Sequence, residues 1–129
     1  EHRQVHTKTR AAGMTEALNP LLVGRRLRAV SSDFEADEDE LREYPALADL
    51  RTVASTLSAA HFTVMSAFVD MQGAAFLLFW LERLRRRLFK QEHTLHAALH
   101  ERLVAVLHCV GALARHLPAC LMRIDLSAL

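Results

Sequence analysis

Between Pro45 and Lys90 apolar or small residues recur at Leu57, Ala60, Val64, Ala67, Met71, Ala74, Leu78, Leu81 and Leu88. The steps alternate three and four, as on the buried seam of an α-helix. A second stripe, Phe62, Met65, Val69, Phe76 and Phe79, lies on another face of the same helix. Two stripes require cover on more than one side. A helix over 45–90 would be about 68 Å long, against a radius of gyration of ~14 Å for a globule of this size. The pattern therefore predicts either an elongated molecule or a break near Gly73.

A further 3–4 pattern runs through Leu99, Leu103, Val106, Val110, Leu113 and Leu117, and Pro118 ends it. The polar stretch from Lys90 to Thr94 separates the two patterns, with Thr94 suited to an N-cap. Pairing Ala67 with Leu117, Met71 with Leu113, Ala74 with Val110, Leu78 with Val106 and Leu81 with Leu103 centres a turn on Glu92. In that register small residues on one side meet large ones on the other. No period-two alternation and no Asn-Gly or Asp-Gly turn signals a strand. The predicted fold is all-α. It is a long antiparallel helical hairpin over about 45–90 and 94–117, in a single helical domain over 14–129. Short helical turns follow Pro20, and residues 1–13, polar and basic, read as an extended arm. Ser32 and Glu35 have the spacing of a capping box at the head of an acidic block.

The 129 residues carry a formal net charge of +1, so no global field recruits a polyanion. Charge is segregated locally. Asp33 to Glu43 is acidic, and the run Arg83, Arg85, Arg86, Arg87 and Lys90 is the candidate contact for an anionic partner. Only Phe89 interleaves with that run, so a base-stacking surface is not expected.

The segment Phe62–Leu81 has the length of a membrane span, with basic residues after it and acidic ones before. Asp70 sits near its centre, where a carboxylate costs roughly 3 kcal/mol on insertion scales. In the hairpin register Asp70 falls beside Arg115, and the two are expected to form a structural ion pair that offsets burial. The aromatic side of the segment, Phe62, Phe76, Phe79 and Trp80, then has no cover within the chain and is the candidate interface.

His93, His96 and His100 share one helical sector and are weak candidate metal ligands; the preferred reading of the three is a solvated polar face near a loop. The sequence HERLV at His100 is not a zincin motif, because Val104 replaces the second histidine. His61 and His108, each in an apolar context, read as core or interface histidines. Cys109 and Cys120 lack the spacing of a redox pair or zinc knuckle and read as reduced, buried thiols. Glycine-rich phosphate loops and nucleophile elbows are absent.

The chain is accordingly expected to be a non-enzymatic helical accessory subunit of a multi-protein assembly, with other protein subunits as partners and no cofactor. The rival readings are a membrane-embedded subunit spanning at 62–81 and an RNA-contacting organellar ribosomal subunit. A first residue other than methionine and an arginine-rich, basic start fit an imported subunit, with the mitochondrion as the expected location.

Overall fold

The periodic stretch over 45–90 does not form one rod. A computed structural model, describing residues 2–23, 40–89 and 96–116, divides it into three helices. In chain order the helices are α1 (His2–Leu18), α2 (Leu47–Ala59), α3 (Phe62–Asp70), α4 (Gly73–Phe89) and α5 (His96–His116). The described residues are helices and turns without strands, as the sequence predicts.

The first break has no glycine or proline. Ala60 and His61 are both extended, with ψ of 147° and 162°. The Ala60 N–H donates to Leu57 O, and His61 O accepts from the N–H groups of Val64 and Met65. Backbone groups thus satisfy each other across the corner without a side-chain cap. The cause is tertiary. α2 packs on α5, whereas α3 packs on α1. One straight helix could not reach both neighbours.

The second break turns α3 into α4 by 67°. Gln72, not Gly73, takes the left-handed conformation, with φ of 73°. Its N–H donates to Val69 O, and its carbonyl accepts from Phe76 N–H as α4 begins. Gly73 supplies space instead. A Cβ there would lie 2.4 Å from Phe68 Cε1, so the fully buried Phe68 ring rests directly on the start of α4.

α1 replaces the expected extended arm. Lys8, Thr9 and Arg10 are exposed, but Ala11, Met14 and Leu18 are buried at steps of three and four. That apolar line lets a basic segment dock as a helix along α3 and α4. Beyond it Asn19 begins a further helical turn, its Oδ1 accepting from Leu21 N–H at 3.0 Å and its carbonyl from Val23 N–H. Pro20 occupies the first position of this turn over 20–23, where its missing N–H costs nothing.

α5 lies between α2 and α4. Its Arg102 Nε donates to Pro45 O at 3.3 Å, and its Cys109 Sγ donates to Leu50 O at 3.5 Å. Both chains advance together between these contacts, so α2 and α5 run parallel. The core between the helices gathers Leu50, Val53 and Leu57 from α2, Leu77, Trp80 and Leu84 from α4, and Leu99, Val106, Cys109 and Leu113 from α5. Each such large side chain contributes about 1.5–3 kcal/mol by leaving water. On α4 the fully buried line is Ala74, Leu77, Trp80 and Leu84, whereas Leu78, Leu81 and Leu88 are only partly buried. The buried face is thus rotated from the sequence-read seam. Ser32, Glu35, Thr94, Leu117 and Cys120 lie outside the described residues.

Candidate functional site

The rotation of α4 takes Trp80 away from the expected interface. Its ring is 1% exposed, and its Nε1–H donates to Leu18 O at 2.6 Å. Leu18 ends α1, so its carbonyl is one of those a helix cannot satisfy internally. The indole caps it. Trp80 is therefore a core residue that locks α1 onto α4, because the N–H needs a partner and finds one only inward.

Around Trp80 the aromatic groups converge on one cation. Tyr44 lies 5.9 Å from the Trp80 ring and Phe79 lies 5.0 Å from it, edge to face. The Arg83 guanidinium sits 5.9 Å from the centroids of Tyr44, Phe79 and Trp80 alike. Burial raises the Tyr44 hydroxyl above its ordinary range, and the Arg83 charge partly opposes that shift. Tyr44 holds this place because the short segment at 40–46 brings it over α4. The sequence offered no periodic signal for that.

The rest of the basic run is also partnered. Arg87 is bonded to Glu40 through Nε and through Nη2, the latter at 3.2 Å from Oε2. This ties α4 to the segment before α2. Arg85 and Arg86 both close on Glu82, with nitrogen–oxygen distances of 2.8 Å. Hydrogen bonds from Arg85 and then Arg86 hold the Glu82 carboxyl down to about 2. Arg85 also lies 5.9 Å over the Phe89 ring. The segment is a network of ion pairs on the final turns of α4, where positive charge also opposes the helix dipole. It is not a bare cationic strip. Lys90 lies outside the described residues.

Of the expected aromatic interface, Phe62 on α3 and Phe79 on α4 are 59% and 41% exposed, and Phe76 is half-buried against the core. Asp70 is exposed at the end of α3. The premise of a buried carboxylate therefore fails, since Asp70 lies on the exposed side of the last turn of α3. Arg115 is exposed on α5 in a different setting. It borders a shallow cleft of about 410 Å³ between α2 and α5, with Ala54, Ser55, Ser58, Leu107, His108 and Gly111. Nothing lies within 4 Å of a Cβ added at Gly111, so the small residues leave this depression open.

His96 and His100 are exposed on α5 with their rings nearly parallel, 12° apart, at a centroid distance of 6.3 Å. His93 lies outside the described residues. Among the described residues no group of three or more His, Cys, Asp or Glu side chains is placed to hold one ion. His61 and His108 are exposed rather than core residues, despite their apolar neighbours in sequence. Cys109 is fully buried, and desolvation pushes its thiol up to about 12. Burial thus disfavours its thiolate, and the side chain packs as a small apolar group. No protein-family model, curated protein or solved structure matches this chain.

Proposed function

We propose that this chain is a non-enzymatic helical subunit of a larger protein assembly, joined to a protein partner through the aromatic side of α3 and α4. The observation that carries the reading is the exposure of Phe62, Phe79 and Phe89, at 59%, 41% and 83%, on these two helices. Large apolar side chains left exposed on two successive helices are candidates for a contact surface. The paired state of Arg85, Arg86 and Arg87 supports a protein partner over a polyanion. The carboxylates of Glu82 and Glu40 beside them offset part of the positive charge that a polyanion would meet. Within this subunit we further propose that α4 and α5 pair antiparallel, as the sequence register suggests, and that the mitochondrion is the compartment.

The test is sedimentation of the tagged chain from its native source, with and without Phe62→Asp and Phe79→Asp. The wild-type chain is expected in a particle much larger than its own 14.5 kDa, and the double variant near monomer size with unchanged far-UV circular dichroism. Co-sedimentation of the variant with the wild type would refute the interface. Fractionation of the same cells reads the compartment.

A membrane-embedded subunit is the second reading. It is supported by α5, whose His96–Arg115 portion is long and apolar enough to cross a bilayer, with 33% of that window buried inside the molecule. The stretch over 62–81 favours it less, because its two helices are bent by 67°. Alkaline carbonate separates the readings. Release into the supernatant is the outcome expected of the protein-bound subunit.

A further inference from the structure

We propose that His96 and His100 form a chelating site for a divalent transition-metal ion, with Cu²⁺ preferred over Ni²⁺ and Zn²⁺, on the outer face of the first turns of α5. The proposal is independent of the assembly role. Four residues apart on a helix, the two side chains leave the backbone one above the other. Both are exposed, and their rings already lie parallel at 12° with centroids 6.3 Å apart. Imidazole nitrogen binds such ions at roughly 2.0–2.1 Å. One ion therefore needs the two donor nitrogens about 3 Å apart, which requires both exposed histidines to change rotamer and to exchange their present contacts for the ion, the helix itself staying in place.

The neighbouring cation does not oppose the ion. Arg102 is turned inward, donating to Pro45 O at 3.3 Å and to Ala98 O at 3.1 Å. No third His, Cys, Asp or Glu joins the pair among the described residues. Two protein nitrogens with water in the remaining positions make a weak, open site. Its order of preference is then set by intrinsic affinity, which rises to Cu²⁺ and falls again at Zn²⁺. The first turn of α5 contains no acidic side chain, so the positive end of the helix dipole keeps the site weak. A chelate from residue 96 to residue 100 would tie that turn together, so metal binding and helix order are linked.

The test uses the untagged full chain, since a polyhistidine tag would mask the site. Cu²⁺ and Ni²⁺ titrations are followed by calorimetry, and ¹H–¹⁵N spectra are recorded with substoichiometric Cu²⁺. The expected result is broadening centred on residues 96–100, distinct from any at the His2 and His6 pair of α1, and at least tenfold weaker binding at this site in His96→Ala and in His100→Ala. His61→Ala and His108→Ala should bind as the wild type does. Alanine is the best helix former, so the two diagnostic variants keep α5 intact. Equal affinity in His100→Ala, or broadening centred elsewhere, overturns the proposal.

Discussion

Replacing Gly73 by alanine isolates the contact that shapes the corner between α3 and α4. The new Cβ would lie 2.4 Å from Phe68 Cε1 and 2.5 Å from both Cδ1 and Cζ. Ordinary carbon contacts begin near 3.4 Å, so the ring must retreat by about 1 Å. Phe68 is fully buried, as is Met65, and Val69 is nearly so, so the ring can retreat only into the packed interior. Forcing an extra methyl into a close-packed site costs about 1–3 kcal/mol. Against this, alanine gains up to about 1 kcal/mol over glycine in helix propensity and reduced unfolded-state freedom. The balance is a loss of about 1 kcal/mol, with an upper bound near 2.5. Urea unfolding followed by circular dichroism at 222 nm measures it. The diagnostic step is a double-mutant cycle with Phe68→Leu, whose smaller side chain makes room for the methyl. The pair should be less damaging than the sum of the single changes by about 1 kcal/mol or more. A stabilised Gly73→Ala, or a cycle that closes to zero, would show that Phe68 does not rest on Gly73.

Trp80→Phe removes the donor at 2.6 Å from Leu18 O and leaves the end of α1 with a buried carbonyl lacking its partner. A loss of about 2–4 kcal/mol is expected from that carbonyl and the lost volume, with faster amide exchange in α1 than in α5. An unchanged unfolding midpoint would contradict it. Asn19→Ala should cost about 1 kcal/mol through the lost bond to Leu21 N–H, and Asn19→Asp should restore most of it. Glu82 is held down to about 2 from an ordinary 4.5 by Arg85 and Arg86. A depressed carboxyl stabilises fully above 4.5, and its contribution fades as pH falls through that value towards 2. A carboxyl titration of Glu82 by NMR should therefore show a midpoint near 2 that rises in high salt, and a midpoint near 4.5 at low salt would remove the ion-pair network. In a Cys120→Ser background Cys109 should resist a thiol reagent at pH 8 while folded and react only on unfolding, since its thiol is pushed up to about 12.

Helical character was legible because three–four spacing is a direct record of burial on a helix face. It identified α5 through Leu99, Val106 and Leu113, all buried. It could not locate the corner at Ala60–His61, where no residue disfavours a helix and the reason is that α2 and α3 have different neighbours. At the second corner Gly73 was visible, but its role was not. Glycine there accommodates Phe68, while Gln72 bears the positive φ. α1 was missed because its polar, basic start obscured the short buried line Ala11, Met14 and Leu18. Of the aromatic residues singled out by composition, Phe62 and Phe79 are exposed, Phe76 is half-buried and Trp80 faces the core. Facing depends on a hydrogen bond to a residue 62 positions away, which no local pattern encodes.

The carboxylate in the apolar run bears on why the corner lies at 71–72. A straight helix over 62–89 would carry Asp70 in its interior, with apolar or aromatic residues on nearly every side. Burying an ionised carboxylate costs several kcal/mol unless it is well paired. The observed turn costs less. Its left-handed Gln72 is worth roughly 1–2 kcal/mol, and the bonds from Met71 N–H to Ala67 O and from Gln72 N–H to Val69 O recover part of the interrupted ladder. Asp70 faces solvent beside the turn, which lets Phe68 pack on Gly73. Exposure of Asp70 and the break in the most apolar segment thus occur at the same place in the chain. The break puts Phe62 and Phe79 on separate helices that meet at 67°, so a partner covering both must fit a corner and not the side of a rod.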